Sequence, residues 1–175
     1  MNARLIATHL SLLMVLILGA PAFAQDPDLV PHAQPACGKW NVHFQVKTDN
    51  THPKPQVDPS KALIYVVEVS DATVRVGLDG KWAGATRGRL YLWLAVDPGE
   101  HHLCVDALSD VVELGRPVSL YGFTAEAGKT YYFRARATLS FSSRWHPDLD
   151  LDLVNDDEGK LLVANASLSI SHPKK

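Results

Sequence analysis

The sequence predicts a mainly β fold, an antiparallel β-sandwich, and three observations carry that expectation. The stretch from Val76 to Leu103 alternates strand-forming runs with an Asp79-Gly80 step, a further glycine at Gly84 and a Pro98-Gly99 step. Such steps supply the positive φ that tight turns between antiparallel strands require. Apolar runs rich in Ile, Val and Tyr are of strand length rather than helix length, and several other segments alternate oily and polar residues with period two.

Taken in order, residues 1–24 read as a cleavable secretory signal: Arg4 near the start, an apolar run from Leu10 to Leu18, then Ala22-Phe23-Ala24 before Gln25. That run is shorter than the roughly 20 residues a membrane-spanning helix needs. The expectation is therefore a mature chain beginning at Gln25, without an integral membrane segment, and periplasmic or secreted. About 150 residues then remain, enough for one domain with a single core.

Residues 25–61 read as a proline-rich arm. Pro27, Pro31, Pro35, Pro53, Pro55 and Pro59 are six of the eleven prolines, which favours extended connections over a compact helix. One strand interrupts the arm, where Trp40, Val42, Phe44 and Val46 alternate with Asn41, His43, Gln45 and Lys47.

Residues 62–175 read as the sandwich. Ala62 to Val69 is almost continuously apolar and β-branched, which predicts a central strand buried on both faces. Val74, Val76 and Leu78 alternate with Arg75, Gly77 and Asp79 ahead of the Asp-Gly turn, and Leu90 to Val96 is again apolar on both faces. Pro98 presets φ and Gly99 accepts the left-handed conformation, the chemistry of a type II turn. Strands at about Val118 to Ala125 and Thr130 to Leu139 flank the turn Ala127-Gly128-Lys129.

The second of these predicts its own partner. Tyr131, Phe133, Ala135 and Ala137 share one face and Arg134, Arg136 and Thr138 the other, while Leu149, Leu151 and Leu153 alternate with Asp148, Asp150 and Asp152. Antiparallel pairing about Ser143 sets Arg136 against Asp150 and Arg134 against Asp152. The same register sets Ala135 against Leu151 and Phe133 against Leu153, so charge and apolar matching agree. The tail admits two readings. Asn155 with Glu158 three residues on, beside Asp156 and Asp157, is a helix N-terminus pattern that favours a short C-terminal helix over Lys160 to Ala166. Gly159 argues instead for a hairpin into a strand ending near Ile170.

The formal net charge of −2 and the absence of a basic block, apart from Lys174-Lys175, make nucleic acid and anionic membrane poor partners. Only Cys37 and Cys104 are present. In an oxidising compartment they are expected to form a disulfide, worth about 4 kcal/mol in the chain-entropy model, that pins the arm to the sheet. The rival role is a reactive thiol at Cys104 with His102 two residues away, and a partner at Cys37 weighs against it.

Glu100, His102, Cys104 and Asp106 share a strand face and are ligand types that zinc or copper accepts. Side chains two apart on a flat strand diverge, however, and a bridge removes Cys104, so no metal site is expected. Asp148, Asp150 and Asp152 suggest calcium, but Leu153 stands where an EF-hand loop needs glycine and Gly159 where it needs a bidentate acid. No Gly-x-Ser-x-Gly, His-Glu-x-x-His, phosphate loop or dinucleotide fingerprint occurs, so no catalytic residue and no cofactor is assigned. His32, His52 and His172 lie in proline-flanked or terminal segments where solvation explains them.

Aromatic side chains are the better binding material: Trp40, Trp82, Trp93 and Trp145, with Tyr91, Tyr121, Tyr131 and Tyr132. Trp82 and Trp145, with Arg144 beside the latter, are expected in turns and are the candidate ligand-binding residues. A cell-envelope glycan or protein is the expected partner.

The pattern Val76-x-Leu78-Asp79-Gly80, then Gly84, then Pro98-Gly99-x-His101-x-Leu103-Cys104, resembles a family of exported bacterial β-domains of unknown function, and its core resembles PEGA-type surface modules. Ala36-Cys37-Gly38, Lys47-Thr48-Asp49, His52-Pro53 and Ala62-Leu63-Ile64-Tyr65-Val66 are similar to that family as well. The resemblance implies export and a β-sandwich and carries over no catalytic residue. The sequence thus predicts an exported, non-catalytic, envelope-associated binding or structural module. The alternative is a small metal-dependent or thiol enzyme.

Overall fold

The computed structural model describes residues 37–39, 41–108, 117–141 and 145–174, with the side chains of 139–141 and 145–147 left aside. The signal expected at residues 1–24, the start of the arm, Trp40 and Arg144 lie outside the described residues.

Among the described residues the elements follow in order: β1 (Phe44–Asp49), β2 (Ala62–Glu68), β3 (Thr73–Leu78), β4 (Lys81–Arg87), β5 (Leu90–Val96), β6 (Gly99–Leu108), β7 (Val118–Ala125), β8 (Thr130–Phe141), β9 (Trp145–Val154), α1 (Asp156–Ala164) and β10 (Ser167–Pro173). They form a six-stranded sheet, β1-β10-β5-β2-β8-β9, and a four-stranded sheet, β4-β3-β6-β7. The sandwich is mostly antiparallel, with β2–β8 and β5–β10 running parallel. Parallel neighbours need a crossover, and here the intervening excursions through the other sheet supply it.

The apolar run Ala62 to Glu68 is central in its sheet, as its two-sided hydrophobicity predicts, with Ile64 and Val66 fully buried between the sheets. Facing it are Val76, Leu103 and Val105 from the second sheet, with Phe133, Ala135 and Leu151 from β8 and β9 completing the layer. Asp79 (φ 50°) and Gly80 (φ 76°) join β3 to β4 as a two-residue hairpin with positive φ at both centres. The Pro98-Gly99 turn instead carries the chain from β5 in one sheet to β6 in the other, and Ala127-Gly128-Lys129 does the same between β7 and β8. The β8–β9 register is the expected one throughout: Arg136 opposite Asp150, Arg134 opposite Asp152, Ala135 opposite Leu151, Phe133 opposite Leu153.

The tail forms the helix, and a strand follows it. Asn155 caps α1 by accepting the Glu158 N–H at 3.0 Å, while the Glu158 carboxylate reaches Arg134 Nη1 at 2.6 Å. Gly159, the residue that argued against a helix, is the one that lets α1 lie on the sheet, because a Cβ there would overlap the Tyr132 ring. The strand β10 then inserts between β1 and β5. Its Ser169 and Ser171 point at the edge strand β4, where Ser169 Oγ donates to Ala85 O and Ser171 Oγ accepts from Ala85 N–H at 3.0 Å.

The arm crosses the outer face of the four-stranded sheet. Cys37 and Cys104 are joined, with Cα atoms 5.3 Å apart. Gly77 leaves room for the Cys37 carbonyl, which a Cβ at that position would strike. Trp82 Nε1–H donates to Lys39 O at 2.8 Å, and Arg75 Nη1 donates to Val42 O at 2.7 Å. Beneath this cover Arg75 and Asp106 form an ion pair in which both side chains are fully buried.

Gly159→Ala should lower the urea midpoint by an amount equivalent to about 1–3 kcal/mol through overpacking against Tyr132. Helix propensity alone would raise it by roughly 1 kcal/mol, so the sign of the change separates overpacking against Tyr132 from propensity. Cys37→Ser with Cys104→Ser should cost about 2–4 kcal/mol. The fluorescence component removed by Trp82→Phe should then move to longer wavelength as the arm lifts; an unmoved component would mean that the arm docks without its bridge.

Candidate functional site

The outer face of the six-stranded sheet carries a row of rings. Period-two alternation sends Tyr65 outward from β2, and Tyr132 lies directly opposite it on β8. Their rings stack at 5.2 Å with planes 9° apart, and on its other side Tyr65 meets Tyr91 of β5 at 5.8 Å. His52, from the segment after β1, stacks on Tyr91 at 6.1 Å. It does so at φ 50°, a left-handed conformation that costs a non-glycine residue on the order of 1 kcal/mol and that clusters at ligand sites.

The helix α1 forms one wall, placing Lys160, Val163 and Ala164 above the rings. With His52, Tyr65 and Tyr132 they line a groove of about 400 Å³. Leu162 and Val163 pack onto a second apolar cluster of Val67, Tyr91, Ala166 and Leu168, with Tyr65 and Trp93 against it. The helix is therefore fixed on the same sheet that supplies the groove floor.

Because Tyr65 has a ring on each side, the groove meets ring edges and phenol hydroxyls rather than open faces. Burial raises the pKa of all three phenols. Neighbouring Tyr132 and Tyr91 add to the effect at Tyr65, Asp49 at Tyr91, and Asp156 at Tyr132 against the opposing Lys160. They remain protonated hydrogen-bonding groups in the physiological range. Aromatic edges carry partial positive charge, and the Lys160 ammonium, 3.2 Å from Asp156, adds to it. This lining suits a ligand rich in oxygen acceptors.

Of the candidates read from the sequence, Arg144 lies outside the described residues and Trp82 lies on the other sheet. Trp82 sits within β4 rather than in a turn, half-buried, with the Arg75 guanidinium 4.2 Å from its ring centre, so its ring covers an ion pair. Trp145 opens β9 rather than lying in the turn before it. Sequence reasoning passed over Tyr65 because it lies inside an apolar run that reads as core, and His52 because prolines surround it. Tyr132 stood among the aromatic candidates.

The four potential metal ligands of β6 separate as the strand dips under the arm. Glu100 and His102 are exposed, Cys104 is bridged, and Asp106 pairs with Arg75. Asp106 is thus buried beneath the arm. Among the described residues no three His, Cys, Asp or Glu side chains converge as metal ligands. His101 is engaged at both ring nitrogens, with Asp79 Oδ2 at 2.7 Å and Asp97 O at 2.8 Å. Burial pulls its pKa down, but those contacts outweigh it and the net shift is upward. The Asp79 carboxyl shifts downward because the His102 N–H and the His101 ring outweigh its own burial. Together they bolt the β3–β4 turn to β6.

No protein-family model matches the chain, and no curated protein matches it. Among the described residues no helix is long and apolar enough to cross a membrane.

One buried acid stands outside all these pairs. Glu68, 1% exposed at the end of β2, accepts the Ser70 N–H at 2.6 Å and the Ser70 hydroxyl on Oε1, while Oε2 has no hydrogen-bond partner among the described residues. Burial pushes its pKa up to about 7, against the Ser70 hydrogen bonds and with smaller opposing effects of Asp71 and Arg89. The native state therefore holds a proton that the unfolded chain releases above its ordinary value of 4.5, and stability falls as pH rises from there to about 7. The loss should be on the order of 3 kcal/mol. Urea midpoints at pH 5 and pH 8 should show it, and Glu68→Gln should flatten the difference; an unchanged difference would assign the slope to other groups.

Proposed function

We propose that the chain is an exported, non-catalytic binding module of the cell envelope, and that its ligand occupies the groove between α1 and the Tyr65–Tyr132 pair. The observation that carries this reading is the groove itself. It is a concave site with rigid walls, floored by stacked tyrosines and edged by a strained histidine, and a helix that could have closed over the sheet leaves it open. Preformed pockets with a few convergent polar groups are where small ligands bind.

The ligand class that fits is a neutral, polyhydroxylated chain, an envelope glycan. Its hydroxyl and ring oxygens would accept from the Tyr65 and Tyr132 hydroxyls and from Lys160, and its C–H edges would lie against Val163. The alternative, a small thiol or metal-dependent enzyme, finds less support: both thiols are consumed in the bridge. The signal-like start of the sequence supports export, and cleavage before Gln25 is the corresponding expectation for N-terminal sequencing of the protein recovered from cells.

Titration of the full chain with soluble glycan fragments should quench tyrosine emission saturably. Ala164→Trp, at an exposed position on the groove wall, should fill the groove and weaken binding by at least about tenfold, which is 1.4 kcal/mol. Binding that survives the blocked groove, or no binding by any glycan tested, would defeat the reading.

A further inference from the structure

A second concavity lies away from the tyrosines, where the arm leaves the four-stranded sheet and becomes β1. It encloses about 450 Å³ and is lined by His43, Phe44, Gln45 and Val46 along β1, by Thr73, Arg87 and Leu108, and by Lys174. Three elements converge because register requires it: Arg87 on β4 and Leu108 on β6 both stand opposite Thr73 on β3. Lys174 is fixed there through its backbone N–H, which donates to His43 O at 2.8 Å.

The charge of this lining is one-sided. Arg87 and Lys174 bring two cations and His43 an imidazole, and none of the described residues lining the cleft is acidic. Among the described residues neither Arg87 nor Lys174 takes part in an ion pair. In contrast, the arginines on the outer face of β8 are matched by Asp150, Asp152 and Glu158. Like charges around one hollow repel each other, and a bound anion relieves that repulsion. Thr73 adds a hydroxyl donor. β1 is an edge strand, and such a strand leaves alternate backbone N–H groups without ladder partners on its open side.

We propose that this cleft is an oxyanion-binding subsite, taking a carboxylate or phosphate group of a ligand. The planar Arg87 fork suits either group by paired N–H···O contacts, and Lys174 acts as a point charge beside it. The subsite is independent of the tyrosine groove, so each can fail without the other.

The test uses the full, disulfide-bonded chain at low ionic strength, titrated separately with inorganic phosphate and with glutarate and followed by amide chemical shifts. Saturable shifts confined to His43, Thr73, Arg87 and Lys174 are expected with at least one probe. Saturation by phosphate alone would assign a phosphate-bearing ligand, and by glutarate alone a carboxylate-bearing one. Arg87→Ala and Lys174→Ala should each weaken binding at least about tenfold and Arg87→Lys by less, because only the fork is lost. Lys54→Ala, outside the cleft, should leave affinity unchanged. Arg87 and Lys174 are exposed, so these variants keep the fold. The proposal is overturned if neither probe saturates, or if Arg87→Ala and Lys174→Ala bind as the parent chain does.

Discussion

An ion pair buried on the outside of a sheet sets the terms for the rest of this molecule. Arg75 and Asp106 point away from the sandwich core, on neighbouring strands, and would ordinarily face water. They are instead fully buried. Removing two charges from water costs several kcal/mol each unless their remaining hydrogen-bonding capacity is met. The arm meets part of it with the Val42 carbonyl, and Trp82 lies across the guanidinium. The cover must then stay in place, because lifting it would break those contacts. The Cys37–Cys104 bridge, spanning 67 positions in sequence, removes the large entropic advantage of a free arm. Gly77 is bare for the same reason, since any side chain there would hold the arm off the sheet.

The six-stranded sheet solves the matching problem with a helix instead of an arm. Its outer face is apolar and aromatic near β5 and β2 and charged near β8 and β9, and α1 spans the boundary. Glu158 turns down to the Arg134 already bound to Asp152, while Leu162 and Val163 reach the apolar cluster. Gly159 sets the height of the helix above Tyr132. That height leaves the groove open toward His52, because α1 ends at Ala164 before it can cover Tyr65.

Much of this was legible in the sequence, and the reason is local. The β8–β9 register follows from two patterns, arginine against aspartate and alanine or phenylalanine against leucine, that agree on one alignment. The centrality of β2 follows from apolar residues on both of its faces, and the capped start of α1 from Asn155 and Glu158. What was not legible depends on contacts distant in sequence. In β10 the residues that face the other sheet are Ser169 and Ser171, which satisfy the backbone of an edge strand, so its polar and oily faces are exchanged relative to an ordinary core strand. Arg75 and Asp106 carry a solvent-face pattern because the arm that covers them lies more than thirty residues away. Tyr65 is hidden in a run whose apolar character says only that the strand is covered on both sides. Nothing in the sequence says that one cover is incomplete.

The two concavities have a common origin in that incomplete covering. Among the described residues α1 covers part of the outer face of one sheet and the arm part of the other, and each stops at a place fixed by its own anchors. The helix is stopped by Asn165, whose backbone and side-chain amides both return to the carbonyl of Leu161. The arm must leave the four-stranded sheet at Val42, because β1 has to reach β10 on the other side of the β4 edge. Beyond the helix lie rings, since β2, β5 and β8 present tyrosines there. Beyond the arm lie cations, since β4 ends in Arg87 and β10 runs on to Lys174. The chemistry of each opening is thus set by which strand ends the covers fail to reach, and the rigidity of each comes from the cover beside it.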